Sequence, residues 1–163
     1  MLITRVITIL LILCLTLGIA MNTNAQTPTN TPIAEALDQF HQAASEADGE
    51  TYFGLLAENA VFIGTDGSER WTKAQFEQFA SPYFAKGTGW TYHPRDRHVQ
   101  LSADGKVAWF DEMLDNQSYG ECRGTGVLVL TENGWKIMQY HLTIPLPNDL
   151  AKDIVQQIRA YQQ

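Results

Sequence analysis

Sulfur crosslinks and metal ligands are scarce in this sequence of 163 residues. Of its two cysteines, Cys14 lies in an N-terminal segment that we expect to be removed. Cys122 then has no intramolecular partner, so the domain must fold without a disulfide. One cysteine and four scattered histidines form no metal-binding motif. We therefore expect neither a metal nor another cofactor.

Positive charge is also scarce. The chain has 11 Lys and Arg residues against 18 Asp and Glu residues, for a formal net charge of −7. The basic residues form no cluster, whereas a nucleic-acid-binding surface needs clustered Lys and Arg side chains to neutralise phosphates. The composition therefore predicts no nucleic-acid partner.

No apolar run reaches the length that a membrane-spanning helix usually needs. Residues 6–20 are mostly apolar, but a helix needs about 20 residues to cross a bilayer. The run follows Arg5 and precedes a polar stretch that ends at Ala25, with small residues at the −3 and −1 positions of the expected cleavage site. We predict a signal peptide over residues 1–25, no stable membrane anchor, and a periplasmic or secreted protein. A membrane anchor is the competing interpretation.

The remaining chain has the length and composition of one domain. Residues 26–31 form a linker rich in Thr, Asn and Pro, and residues 32–146 carry the regular apolar patterns. The apolar period is helical in three segments and becomes alternating after Gly87. Residues 147–163 predict a closing helix. This order predicts an α+β domain with its helices on one sheet face.

Two local motifs support these boundaries. Thr72 to Gln75 form a capping box, which opens the third helix. The pair Asn133–Gly134 is the strongest hairpin signal in the chain and leads into the last strand.

The last strand also carries a family resemblance. Residues 135–143 (WKIMQYHLT) resemble the closing strand of SnoaL-like domains, in which Trp, a branched apolar residue, His and Ser/Thr recur at a spacing of two. Residues 62–66 (FIGTD), followed by Glu69-Arg70-Trp71, are similar to one SnoaL-like subgroup. These domains are part of the nuclear-transport-factor-2-like superfamily and are related to ketosteroid isomerase. The resemblance covers residues 33–146.

The resemblance implies a cone-shaped, strongly curved antiparallel sheet wrapped around three N-terminal helices. It also implies a pocket at the open end of the cone and, in many members, a homodimer formed through the outer sheet surface. It does not imply one activity, because enzymes and binding proteins share the fold. Ketosteroid isomerase activity is not expected, since residues 62–66 depart from its pattern and no tyrosine donor can be assigned.

Strand alternation predicts which side chains line that pocket. Residues two apart share a face, so Gln139, His141 and Thr143 project together. If Asn133–Gly134 is a two-residue turn, Gly124 and Gly126 lie opposite Thr143 and His141. Because glycine has no side chain, this leaves free space above the sheet. For residues 107–114 we favour Trp109 and Asp111 inward, with a Glu112–Arg123 pair outside; the opposite register is the alternative.

These residues define the predicted site. We expect His141 and Asp111 to exchange protons with a ligand, and Trp109, Trp71, Asp66, Gln139, Thr143 and His41 to bind it. Each has a structural alternative: a satisfied core histidine for His141 or His41, a solvated acid for Asp111, and ordinary turn chemistry for Asp66. The predicted function is binding of a small, partly apolar molecule, with or without cofactor-free acid–base chemistry. The alternative is a non-catalytic, dimerising binding module.

Overall fold

The computed structural model describes residues 31–162. The predicted signal peptide and nearly all of the predicted linker lie outside these residues. In chain order the elements are α1 Thr31–Glu46, α2 Gly49–Gly54, β1 Leu56–Ile63, β2 Arg70–Thr72, α3 Lys73–Phe84, β3 His93–Leu101, β4 Val107–Asn116, β5 Gly120–Thr131, β6 Gly134–Thr143, a 3₁₀ turn Asn148–Leu150 and α4 Ala151–Tyr161.

The six strands form one open sheet in the order β2-β1-β6-β5-β4-β3. Neighbouring strands run antiparallel except β1 and β6, which are parallel. This parallel pair joins the two N-terminal strands, β1 and β2, to the four C-terminal strands in a single sheet. The predicted α+β class is confirmed, with a mixed sheet and helices at both ends.

Helices α1, α2 and α3 pack on one face of the sheet, here called the inner face. Helix α1 turns its apolar stripe, which includes Leu37 and Phe40, toward the sheet. Helix α3 begins at the predicted capping box: Thr72 Oγ1 accepts from the backbone N–H of Gln75, and the Gln75 side chain accepts from the backbone N–H of Thr72. That box fixes where the helix starts and therefore where Phe76 meets the sheet.

Aromatic rings fill the space between these helices and the sheet. Phe62 of β1 stacks on Phe76 with ring centroids 3.8 Å apart, and Phe40 stacks on Tyr52 at 4.3 Å. Tyr140 of β6 joins the two pairs, at 5.1 Å from Phe40 and 5.5 Å from Phe62. These rings also form part of the lining of the cavity described below.

An irregularity in β6 decides which side chains face inward. Leu128 of β5 pairs with Ile137, but the next pair is Val127 with Gln139, so Met138 is an extra residue in β6. A β-bulge of this kind moves every later side chain to the opposite face. After the bulge the inward residues of β6 are Tyr140 and Leu142, and the outward ones are Gln139, His141 and Thr143.

The two central strands follow the same division. The inner face of β4 carries Phe110, Glu112 and Leu114, and that of β5 carries Cys122, Gly124, Gly126 and Leu128. The hairpin that joins β5 to β6 pairs Thr131 with Gly134, so its central residues are Glu132 and Asn133 rather than Asn133 and Gly134.

The C-terminal helix α4 was predicted and is present. It follows Pro147 and buries none of its residues, so its apolar side chains Val155 and Ile158 remain exposed. Over residues 31–162, none of the helices combines the length and the apolar character that crossing a bilayer requires.

Candidate functional site

A cavity of about 180 Å³ opens between the helices and the inner face of the sheet. Ten of its sixteen lining residues are aromatic, which makes its walls flat and mostly apolar: Phe40, Tyr52, Phe62, Trp71, Phe76, Phe79, Trp90, Tyr92, Tyr119 and Tyr140. Thr65, Phe79 and Tyr119 are exposed and mark its mouth. His41 and Tyr140 are buried and supply polar groups deeper inside.

A buried charge network stands behind His41. The Nε2 atom of His41 lies 2.7 Å from Oε1 of Glu112, which has no exposed surface. Arg97 of β3 donates from Nε to the other carboxylate oxygen of Glu112 at 2.6 Å. Its Nη1 donates to Asp38 at 2.8 Å and to the backbone carbonyl of Ala34 at 3.1 Å, both in α1. The network therefore ties α1 to two strands across the inner face.

This pairing fixes the hydrogen-bond role of His41. A buried carboxylate needs compensating charge and donors, and the Arg97 guanidinium supplies both. With Arg97 donating to one oxygen of Glu112, the carboxylate accepts at the other, so the shared proton belongs on Nε2 of His41. In the neutral imidazole this leaves Nδ1 with its lone pair. Glu112 thus orients the ring and sets its tautomer.

Tyr140 is the second buried polar group of the cavity. Together with His41 it forms what we call the cavity floor. Burial, with the negative charge of Glu112 as the next cause, raises the pKa of Tyr140 well above its usual value. Its hydroxyl therefore stays protonated and carries a proton that it can donate to a ligand. Gly124 makes this position available, because a Cβ at that residue would lie 2.6 Å from the hydroxyl and 3.1 Å from Oε1 of Glu112.

The mouth of the cavity carries a carboxylate and two further tyrosines. Glu69 lies in the loop between β1 and β2, where its Oε2 accepts from the backbone N–H of Asp66 at 3.1 Å. Burial first, and then the nearby Cys122, Tyr119 and Glu69, raise the pKa of Tyr92 to about 12. Tyr92 is therefore also a neutral hydroxyl at ordinary pH.

The structure brings only part of the predicted site to this cavity. His41 and Trp71 line it, as expected. The predicted inward facing of the other strand residues is wrong, and it fails in both strands. In β6 the bulge at Met138 turns residues outward, and in β4 the alternative register holds. The outward residues are Gln139, His141, Thr143, Trp109 and Asp111.

These outward residues make ordinary surface contacts. Asp111, 57 % exposed, pairs with Nδ1 of His98 at 3.2 Å, and the indole N–H of Trp109 donates to Gln100 at 2.7 Å. Residue 141 pairs with Thr125, which also pairs with Asp111, so Thr125 lies between His141 and Asp111. Asp66 lies in the loop after β1, where its Oδ1 accepts from the backbone N–H and the hydroxyl of Ser68; these bonds lower its pKa.

Three residues of the cavity floor and of the charge network behind it were missed from the sequence: Glu112, Arg97 and Tyr140. The favoured register places Glu112 outside, in a pair with Arg123, and only the alternative register places it inside. Tyr140 directly precedes the predicted residue His141, so an error of one position in the facing of the strand exchanges the two. Arg97 carried no signal of its own, because it follows Asp96, which has a positive φ of 48°, at an irregular point in β3.

The architecture is that of the NTF2-like fold. An NTF2-like protein of unknown function from Pseudomonas putida has a TM-score of 0.62 at 12 % identity, with 73 % of this chain and 88 % of that chain covered. An NTF2-like protein from Cytophaga hutchinsonii has a TM-score of 0.59 at 17 % identity, covering 72 % and 98 %. A domain of unknown function with a cystatin-like fold from Nostoc punctiforme has a TM-score of 0.64 at 16 % identity, covering 82 % and 87 %.

The family follows from the sequence match. The model of the SnoaL-like domain matches residues 33–147, which is most of the chain. The protein therefore belongs to the SnoaL-like domain family, as the last strand had suggested. No curated protein matches the chain.

Proposed function

We propose that this protein binds a small, ring-sized, partly apolar molecule in the aromatic cavity, with His41 and Tyr140 orienting its polar end. The observation that carries the proposal is the combination of an aromatic cavity with two hydrogen-bonding groups at its floor. Ligand sites are characteristically apolar clefts with a few placed polar groups. The SnoaL-like fold generally binds small ligands, which agrees with this use of the cavity.

The cavity volume limits the size of the ligand. An engineered apolar cavity of about 150 Å³ accommodates benzene, and drug-sized pockets measure roughly 300–1,000 Å³. At about 180 Å³ the cavity suits one aromatic or alicyclic ring with a short substituent. A ring would stack against flat walls, and its polar substituent would reach the imidazole or the tyrosine hydroxyl.

The same groups support acid–base chemistry as the finer proposal. His41 would accept a proton from the ligand at Nδ1, and the resulting imidazolium would be stabilised by Glu112 through Nε2. Tyr140 would donate a hydrogen bond to an oxygen that gains negative charge. His41 and Tyr140 are then the catalytic residues, and Glu112 and Arg97 are positioning residues. His141 and Asp111 have no part in this scheme.

Blocking the cavity mouth tests the binding proposal. Thr65 is exposed and lines the cavity, so Thr65→Phe would plug the entrance without touching the core. Gly67→Phe is the matched control, since Gly67 lies in the same loop with open space around its Cβ position. We expect ring probes such as benzyl alcohol to shift the NMR signals of cavity residues in the wild type and in the control, but not in Thr65→Phe. Equal shifts in all three proteins would contradict the proposal.

We also propose a homodimer formed through the outer sheet face. Trp109 is 44 % exposed there, and Val127 and Val129 lie only partly buried beside it. Apolar side chains on a sheet face favour a sheet-on-sheet contact, and the resemblance to dimeric family members favours a second copy as the partner. Sedimentation equilibrium would report a dimer for the wild type and a weaker one for Trp109→Glu. A monomer at all concentrations would contradict this proposal.

Export remains the proposed localisation, on the signal pattern of residues 1–25. Intact-mass measurement of protein from a periplasmic or culture fraction should find a chain that begins at or near Gln26. Full-length protein retained in the membrane fraction would favour the anchor instead.

A further inference from the structure

The cavity wall contains a carboxylate without a cationic partner. Glu69 is half-buried, and its Oε2 accepts one hydrogen bond, from the backbone N–H of Asp66. Among residues 31–162, no Lys, Arg or His side chain lies within salt-bridge distance of it. A partly buried carboxylate keeps its charge at a cost unless a cation or further donors reach it. Glu69 therefore has unused capacity to accept hydrogen bonds.

The loop around Glu69 holds that carboxylate in place. The backbone N–H of Gly64 donates to the carbonyl of Glu69 at 2.8 Å, and the N–H of Glu69 donates to the carbonyl of Asp66 at 2.9 Å. A Cβ at Gly64 would meet Oε2 of Glu69 and would lie 3.0 Å from its Cβ, so the glycine gives the Glu69 side chain room to lie against β1. The acid is thus built into the wall rather than free at the surface.

Within residues 31–162, no Lys or Arg side chain reaches this wall, since none is among the cavity-lining residues. Arg70 follows Glu69 in the chain, but it pairs with Ile63, while its neighbour Trp71 pairs with the inward Phe62. Directly paired residues share a face of the sheet, so the Arg70 side chain points away from the cavity.

The remaining surroundings of the cavity also favour positive charge in a ligand. Behind His41, the charge of Arg97 is opposed by both Glu112 and Asp38. Tyr92 and Tyr119 also line the cavity, and aromatic rings attract cations through their quadrupole. An anionic ligand would meet a carboxylate with no cation to neutralise it.

We infer that the cavity selects organic cations: a primary or methylated amine on a ring-sized apolar body, with its ammonium held by Glu69 beside the tyrosines at the mouth. The ammonium is then at the opposite end of the ligand from any polar substituent that His41 and Tyr140 orient at the floor. This inference rests on the proposed function, since it names the ligand class of the same cavity. Glu69 is the residue that sets specificity for the charged end. The aromatic walls accept the apolar body, and His41 and Tyr140 at the floor are available to a second polar group.

Three probes of equal size and different charge test the inference: benzylamine, benzyl alcohol and benzoate. Dissociation constants would be measured at pH 7 by NMR titration of the purified protein. We expect benzylamine to bind about tenfold more tightly than benzyl alcohol, because an ammonium gains both a charge-assisted contact and cation–π attraction. Benzoate should bind most weakly.

Substitution of Glu69 separates charge from shape. Glu69→Gln keeps the side-chain length and an oxygen that accepts from the N–H of Asp66. We expect it to remove the preference for benzylamine, while the affinity for benzyl alcohol stays within about twofold. Glu77→Gln is the matched control, because Glu77 is exposed on α3 and lies outside the cavity lining.

The outcomes distinguish this inference from the proposed function. Benzyl alcohol binding in the cavity with no preference for benzylamine, or a preference that survives Glu69→Gln, would overturn the inference alone. Benzoate as the tightest ligand would do the same. If none of the three probes shifts any cavity signal, the inference and the binding proposal both fail.

Discussion

The buried ion pair between Arg97 and Glu112 allows a quantitative test of what holds the cavity floor. Glu112 has no exposed surface, and the Arg97 side chain is only 13 % exposed. Removing one partner of a buried pair leaves the other charge uncompensated, which typically costs about 3–5 kcal/mol. Because Asp38 still contacts Arg97, we expect Glu112→Gln to lower the free energy of unfolding by about 3 kcal/mol, at the lower end of that range.

A double-mutant cycle isolates the pair from its surroundings. Glu112→Leu and Arg97→Met would each leave a buried charge, whereas the double variant removes both and substitutes apolar groups. We expect a coupling free energy of roughly 2 kcal/mol or more, with the double variant more stable than Glu112→Leu alone. Urea denaturation followed by circular dichroism gives the four unfolding free energies. Glu121→Gln is the control, since Glu121 pairs with Arg95 at the exposed surface and should cost less than about 1 kcal/mol.

A small coupling would refute this reasoning. If the coupling is below about 0.5 kcal/mol, the cavity floor depends on packing and not on the charge network. If Glu112→Gln also leaves the NMR chemical shifts of the His41 ring protons unchanged, Glu112 does not position the ring.

Three further results are expected. The pKa of Tyr92 is raised to about 12, so its protonated state stabilises the fold fully below pH 10, and that contribution is lost between about pH 10 and 12, where the unfolded tyrosine ionises; alkaline unfolding of Tyr92→Phe should be less steep there. Gly126→Ala should destabilise more than Gly124→Ala, because its Cβ meets the rigid backbone carbonyl of Gln139 rather than a side chain; thermal unfolding ranks them, and the reverse order would contradict this. Asp111→Asn should change stability by less than about 1 kcal/mol and leave ring-probe affinity unchanged; a lost affinity would return Asp111 to the site.

The order of elements could be predicted because each depends on local sequence. The capping box at Thr72 and the alternation after Gly87 report backbone preferences that tertiary contacts did not override. The short strand β2 and the parallel pairing of β1 with β6 were not predicted, since both arise from contacts between distant parts of the chain. The position of His41 on the apolar stripe of α1 predicts that it faces the sheet. Its partner Glu112 could not be predicted in the same way, because it is 71 residues away in sequence.

The candidate site was only partly predictable, because the register of a strand sets the face of all its side chains together. A single extra residue at Met138 reverses every later position of β6, and residues 135–143 contain no glycine or proline that would mark it. In β4, two acids stand side by side, and alternation alone treats Asp111 and Glu112 equally. The choice between them depends on whether a buried cation is available, which only the position of Arg97 across the sheet decides.

The bulge also determines which polar side chains line the cavity. Without Met138, His141 would face inward beside the glycines and Tyr140 would lie outside. With it, the inward residue is a neutral phenol whose ring completes the aromatic floor and whose hydroxyl lies above Gly124, close to Glu112. The imidazole of the site then comes from α1, where Arg97 and Glu112 hold it. The candidate base and the donor are thus supplied by different elements, and the base is oriented by a network that also ties the helix to the sheet. A substitution in that network should therefore change stability and ligand orientation together, whereas Asp111→Asn on the outer face should change neither appreciably.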